Sequence, residues 1–380
     1  MTQFHEKAFD ASTQLKLTIF KKYIREWLSV FMTKPGHAQQ SYKQEIQIFD
    51  FFAGPGYDAQ QNPGSPIIIA DEIKKYCLTT PQTKANVSVQ MFFNDINQAN
   101  ITSLQQNINT VKCGNGCCKF SFSQGNFSDE LQKTISIIKK KGVANLIIMD
   151  QFGVKEVTPT VVQFLAQCQK TDILFFISSS IIRRFSELPE IKQYFKFDSH
   201  EVKDIDYKMI HQYICEYFKK CITNSEYYLV PFSIKKGANI YGIIFGTASL
   251  KGLEKFLRVC WGLDSKTGEA NYSIYDEGIW DGQISLFSEQ NEFKKINKFQ
   301  NEVLDFIKKQ TPNNTQLYKF VLQNGFSISK ANDILSMLQQ NDSIETYEIK
   351  AQKKGRKGCF YLGYNYFTSE PKISIKAKAN

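Results

Sequence analysis

Glu45-Ile46-Gln47-Ile48-Phe49-Asp50-Phe51-Phe52-Ala53-Gly54-Pro55-Gly56 is a mainly apolar run halted by two glycines around a proline. Such a run predicts a strand buried in a parallel sheet. The glycines allow a tight turn and bring backbone close to a ligand at the strand's carboxyl end, where doubly wound sheets bind small molecules. Pro55 has no N–H and holds its own φ, so the turn is shaped rather than a phosphate nest. A plain chain reversal uses the same residues. No GxxxxGK[ST] run occurs and Ala53-Gly54-Pro55-Gly56 is not GxGxxG, which argues against a P-loop or dinucleotide fingerprint.

Upstream, Leu15, Ile19, Tyr23, Trp27 and Phe31 recur four apart with Phe20, Ile24 and Leu28 beside them, predicting a helix over 12–32 that must dock on something. Residues 34–44 read as a loop. Downstream, Gly64-Ser65-Pro66 marks a helix start, Ser65 as cap and Pro66 at the first helical position. Strands at 87–93, 119–123, 145–149 and 173–177 then alternate with helices at 98–111, 128–140 and 158–169. Parallel neighbours need crossover helices, so this alternation predicts a doubly wound, mainly parallel α/β sheet. After helical stretches at 191–196 and 206–220, the β-rich runs 227–234 and 241–247 are close enough only for an antiparallel hairpin. Five alternating strands closed by a hairpin are the Rossmann-like layout of class I methyltransferase sheets.

Residues 1–44 are thus expected to pack on a methyltransferase-like domain at 45–263, with 264–292 as a linker or adornment. Residues 293–309, a helix opened by Thr315 and a third over 329–340 precede two strands, 344–349 and 359–364, expected to pair through the basic loop 350–358. Three helices and a basic hairpin read as a winged helix-turn-helix domain at 293–368, followed by a basic tail at 369–380. The net charge is +10, and residues 350–380 hold eight basic side chains against Glu370 alone. Such a segment suits a polyanion, or simply keeps the chain soluble.

Hydrophobic residues make up 42% and charged residues 22%, which sets wholesale disorder aside. No uncharged apolar run approaches the ~20 residues of a membrane span, and the first residues lack a signal-peptide pattern, so a cytoplasmic setting is expected. The nine cysteines are an odd number scattered through apolar segments, as in a reducing compartment. Cys113, Cys117 and Cys118 cluster, but no CxxC or HxxxH partner accompanies them, and no metal is expected.

Chemistry-bearing residues fall at the carboxyl ends of the strands. Asp50, Phe52, Ala53, Gly54, Pro55 and Gly56 form the first turn. In Phe93-Asn94-Asp95-Ile96, the Asp95 carboxylate can accept hydrogen bonds from both ribose hydroxyls of an adenosyl ligand, or cap a helix. Asn126 and Phe127 can place an amide at an adenine edge and a ring on its face, although helix capping by Ser128 accounts for the same stretch. Asp150 and Phe152, in Met149-Asp150-Gln151-Phe152-Gly153, match an acceptor for a target amine and an aromatic that stacks on an extruded base. Arg183 and Arg184 suit phosphate contact, or cap a helix.

Together the Lys16–Trp27 helix, Asp50–Gly56, Gly64-Ser65-Pro66, Asp150–Gly153, Ser180–Arg184 and Trp261–Ile274 resemble the three-Cys-motif partner family, TcmP, over most of residues 4–275. The terminal segment resembles the winged-helix module that accompanies such proteins. The resemblance implies a methyltransferase-like fold and a separate partner that resembles radical-SAM enzymes. The three cysteines belong to that partner, so Cys113, Cys117 and Cys118 inherit no role. Gln151 stands where the family pattern usually shows proline.

These readings lead to a nucleic-acid methyltransferase using S-adenosylmethionine, with DNA as the expected nucleic acid to which the winged helix delivers it. There Lys330 and Asn332 reach base edges, and Lys350, Lys353, Lys354, Arg356 and Lys357 bind phosphates. The alternative is a non-catalytic DNA-binding scaffold for the three-Cys-motif partner.

Overall fold

The Glu45–Gly56 run builds the centre of a sheet. The computed structural model describes residues 8–32, 44–79, 87–111, 118–151, 153–274 and 288–378. The chain divides into two compact units, Met1–Gly252 and Leu253–Asn380.

In the first unit, α1 (Ala11–Phe31) precedes β1 (Gln44–Asp50), α2 (Ser65–Thr79), β2 (Val87–Asp95), α3 (Gln98–Val111), β3 (Cys118–Gln124), α4 (Phe127–Ile138), β4 (Ala144–Met149), α5 (Pro159–Ala166) and β5 (Thr171–Ile177). Three short helices, α6 (Ser179–Arg184), α7 (Pro189–Lys192) and α8 (Ser199–Asp204), and the longer α9 (Ile210–Cys221) follow, and then β6 (Tyr228–Lys236) and β7 (Asn239–Thr247). Among the described residues the strands form one seven-stranded sheet in the order β3-β2-β1-β4-β5-β7-β6. β1 to β5 are parallel, and β7 runs antiparallel to both β5 and β6. This is the doubly wound α/β layout of Rossmann-like methyltransferases. β1 and β4, with apolar side chains on both faces, are almost wholly buried, which is why their sequences show no alternation.

Polar groups inside this apolar frame fasten α1. The Tyr23 hydroxyl donates to Asp172 on β5 at 2.8 Å, Thr247 on β7 donates to the same carboxylate at 2.5 Å, and the Tyr23 ring packs on Phe245 with centroids 4.7 Å apart. Burial pushes the Asp172 carboxyl up to about 6, against the pull of its Thr247, Tyr23 and Trp27 bonds. The hairpin has its own lock. His211 is fully buried, its Nε2–H donates to the Ile243 carbonyl at 3.1 Å, and Nδ1 therefore accepts the Ser179 hydroxyl at 2.8 Å. A side chain at Gly242 would put Cβ 2.2 Å from His211 Nε2, so β7 requires glycine there.

α10 (Leu250–Leu263) leads into the second unit, which contains α11 (Ser288–Gln310), α12 (Asn314–Gln323), α13 (Ile328–Gln340), β8 (Ile344–Glu348), β9 (Lys353–Lys354), α14 (Tyr364–Phe367) and β10 (Ile373–Ala377). Among the described residues its three strands are antiparallel in the order β10-β8-β9. The expected pairing of β8 needs correction. Residues 359–364 do not pair with β8, because Gly358, Tyr361 and Gly363 adopt positive φ angles of 71°, 50° and 144° that break an extended ladder. Their place beside β8 is taken by β10, from the segment expected as a tail, with Ile373 and Ile375 buried. The buried Asn314 side chain joins the pieces, accepting from Lys372 N at 2.8 Å and donating to the Tyr361 carbonyl at 3.2 Å. Residues 264–274, from the stretch expected as a linker or adornment, are packed: Ala270 and Ile274 are buried, and Asp264 accepts backbone bonds from Lys266, Thr267 and Glu269.

Candidate functional site

The β1 turn is held from both sides. Phe51 N–H donates to Ile148 O on β4 at 3.2 Å, Ala53 N–H donates to Asn94 O on β2 at 2.8 Å, and the Asn94 amide donates to the carbonyls of Phe51 and Gly125 at 3.1 Å each. Asn94 therefore stitches together the ends of β1, β2 and β3, a function that sequence reading missed. Gly54 and Gly56 take φ of 63° and 96°, the conformations that glycine supplies at least cost.

Asp50 lies beneath this turn, fully buried. It accepts from Phe52 N–H at 3.3 Å, while its Oδ2 has no hydrogen-bond partner among the described residues. Burial pushes its carboxyl up to about 7; the Ser65 hydroxyl and Phe52 N–H pull it down, and the nearby Asp150 and Asp95 push it up. Asp50 thus supports the turn from within and does not line the cavity beside it.

That cavity, of 280 Å³, opens at the carboxyl ends of β1, β4 and β5, where the strand order reverses. Phe52, Ala53, Ser65, Asp150, Gln151 and Phe176 line it, joined by Lys16 from α1 and Tyr241 from β7. Asp150 and Lys16 form an ion pair, Nζ to Oδ2 2.5 Å, with side chains only 19% and 12% exposed. The same ammonium sits 4.6 Å from the centre of the Phe176 ring, which stacks on Tyr241 at 5.7 Å. Gln151 closes one end. Its Oε1 accepts from Glu156 N and Val157 N at 3.0 and 3.1 Å, and its Nε2 donates to the Phe176 carbonyl at 3.4 Å. An amide thus organises the loop after β4. Phe152 lies outside the described residues.

Asp95 and Gly54 are in direct contact, Gly54 N–H donating to Oδ2 at 3.0 Å. The other carboxylate oxygen accepts from Asn97 N at 2.8 Å and from the Asn100 side-chain amide at 3.0 Å, so Asp95 holds the turn before α3, while Asn97 caps that helix by accepting from Ala99 N at 2.9 Å. Beside it, Ile96 is 71% exposed, a large apolar side chain left facing solvent next to a carboxylate. Asn126 caps α4, accepting from Asp129 N at 2.9 Å, where Ser128 was expected to do so. The Phe127 ring is buried, stacked on Phe52 at 5.4 Å and edge-on to Phe51 at 5.3 Å. Its place is inside an aromatic cluster that backs Phe52.

No protein-family pattern matches the chain, and no curated protein does. Solved structures similar to it include Trm1 from Pyrococcus horikoshii with S-adenosyl-L-methionine (9% identity, 69% of this chain and 62% of that one, TM-score 0.35). This chain therefore spans less than two thirds of that relative's length. Spermidine synthase from Thermotoga maritima (9%, 74% of each chain, TM-score 0.31) and magnesium protoporphyrin IX methyltransferase from Synechocystis PCC 6803 with bound SAH (9%, 64% of this chain and 90% of that one, TM-score 0.32) are similar to the same extent. The sheet order itself, rather than these likenesses, defines the fold.

The remaining expected residues lie elsewhere. Arg183 donates to the carbonyls of Lys203 and Ile205 at 2.7 and 3.1 Å, and Arg184 donates to Asn239 Oδ1 at 3.0 Å; neither lines the cavity. In the second unit, Lys330 Nζ stands 5.8 Å from the Trp261 ring and Asn332 is half-buried. Lys350, Lys353 and Lys354 pair with Glu370, Glu348 and Glu345 at 2.6, 3.7 and 3.7 Å. Arg356 and Lys357 are exposed and have no ion-pair partner among the described residues. No helix among the described residues is long and apolar enough to cross a membrane. Cys113 and Cys117 lie outside the described residues, and Cys118 opens β3.

Sequence reading missed Lys16, Phe176 and Tyr241. For Lys16 a signal existed: positions 16, 20, 23 and 27 share one helical face, and the last three are buried apolar or aromatic residues. A charge on such a stripe needs a partner.

Proposed function

We propose that the first unit is an S-adenosylmethionine-dependent methyltransferase of the TcmP type, and that Asp150 holds the acceptor amine, carried on nucleic acid. The observation that carries this reading is the half-buried Asp150 carboxylate, lining an aromatic-walled cavity where the strand order reverses.

The strand ends suit an adenosyl group. Three bonds to Asp95 leave about one of a carboxylate's roughly four acceptor positions for a ribose hydroxyl. Ile96 offers an apolar flank to a flat base, and the Gly54-Pro55-Gly56 turn presents backbone without bulk. When bound, the cofactor supplies an electrophilic methyl group on a sulfonium. Asp150 would accept an N–H of the acceptor and fix its lone pair in line, so positioning supplies most of the acceleration. Three helices followed by an antiparallel sheet support a winged-helix reading of the second unit, in which Arg356 and Lys357 contact phosphates.

A second reading, a non-catalytic scaffold for a radical-SAM-like three-Cys-motif protein, is favoured by Phe127 and Asp95, whose groups are already engaged within the chain. Calorimetric titration with S-adenosylmethionine, followed by tritiated-methyl transfer to DNA and RNA, separates the two. Binding with transfer that Asp150→Asn abolishes is expected. Binding without transfer supports the scaffold, and no binding removes the enzyme.

A further inference from the structure

The place where an acceptor amine would meet Asp150 is filled by an ammonium of the chain itself. Lys16 Nζ takes Oδ2 of the carboxylate and rests against the Phe176 ring. A carboxylate beside an aromatic face is a good site for any cationic amine, and here both components are used at once by an internal counter-ion.

We infer that Lys16 is a specificity-determining residue that makes the Asp150 site reject cationic amines and accept neutral ones. The inference rests on the reading of Asp150 as the acceptor's partner. A protonated amine, such as a polyamine or a lysine side chain, must either evict Lys16 from Oδ2 or sit beside it. Eviction strands an ammonium whose side chain is only 12% exposed, and coexistence sets like charges against each other within a half-buried cavity. A neutral exocyclic amine of a nucleobase meets neither obstacle. It can donate to Oδ1 while Lys16 stays in place, and the adjacent positive charge favours an acceptor that carries phosphate. Position 16 lies on α1, which Tyr23 and Asp172 anchor to the sheet, so the charge is delivered by a fixed element rather than a loop.

The test is calorimetric titration of the full chain with spermidine at constant ionic strength, without methyl donor. Lys16→Met should bind spermidine at least tenfold more tightly than the original chain. Lys16→Arg, which keeps the charge, should not. In Lys16→Met/Asp150→Asn the gain should vanish. If thermal unfolding shows that Lys16→Met is not folded, Lys16→Gln takes its place in both arms. Unchanged spermidine affinity in the charge-removed variant, or a gain that survives loss of the Asp150 charge, overturns the inference. No cofactor enters this measurement, so its failure is distinct from a failure of methyl transfer.

Discussion

Ile96 and Asp50 represent opposite departures from the usual placement of side chains: a large apolar group in solvent and a buried carboxyl with one oxygen unpartnered among the described residues. Exposed apolar groups cost folding little, so Ile96→Ser should leave the melting temperature within experimental error. If Ile96 flanks the adenosyl group, the substitution should weaken S-adenosylmethionine binding by about 1 kcal/mol, roughly fivefold, on calorimetric titration. Asp50 makes a prediction about pH. Its carboxyl titrates near 7 when folded, against an ordinary value of 3.8. Between those values the folded chain keeps a proton that the unfolded chain has lost, so the Asp50 contribution to stability falls as pH rises through that window. Asp50→Asn removes this dependence. In urea unfolding, the stability difference between variant and original should therefore shift in the variant's favour by about 2–3 kcal/mol from pH 5 to pH 8. An unchanged difference would mean that Asp50 is ionised throughout.

At the scale of elements, α1 and the β6–β7 hairpin complete what the five parallel strands begin. α1 brings Lys16 to Asp150, and its seat depends on Tyr23, Asp172 and Thr247. The hairpin supplies Tyr241 to the cavity wall and is held by His211 against Ser179 and the Ile243 carbonyl. Because both imidazole nitrogens are engaged, the ring cannot swing away from an added methyl at Gly242. Gly242→Ala should therefore destabilise the chain by about 3 kcal/mol, toward the upper end of overpacking costs, as read by chemical denaturation. The parallel strands and most helices were legible because periodicity is local. The pairing of β8 with β10 was not. Ile373-Ser374-Ile375 alternates as an edge strand should, but the surrounding lysines disguise it as a tail, and only Asn314 and the positive-φ residues at 358, 361 and 363 show why the chain returns there.

For the molecule as a whole, charge is a better guide to the second unit than sequence counts suggest. Eight basic residues in the last 31 look like one polyanion-binding segment, yet Lys350, Lys353, Lys354 and Lys378 each face a carboxylate. If this unit binds nucleic acid, Arg356 and Lys357 should carry more of the phosphate contact than those lysines. In the full chain, Arg356→Ala/Lys357→Ala should lower the magnitude of the log affinity against log salt slope by about 2. Lys353→Ala/Lys354→Ala should lower it by less. Equal effects would mean that the ion pairs open on binding.

By itself the sequence determined the alternation of strand and helix, the glycine turn after β1, the acid at the end of β2 and the acid at the end of β4. Each depends on residues within a few positions of one another, where side-chain size, backbone freedom and periodicity act directly. Tertiary structure decided which of those groups still face a cavity. Lys16 meets Asp150 across 134 positions, Asp95 is partly spent on Gly54 across 41, and the Phe127 ring is consumed by Phe51 and Phe52. Such encounters follow from how the helices and strands pack, because a side chain's partners are set by proximity in the folded chain and leave no periodic trace in the sequence.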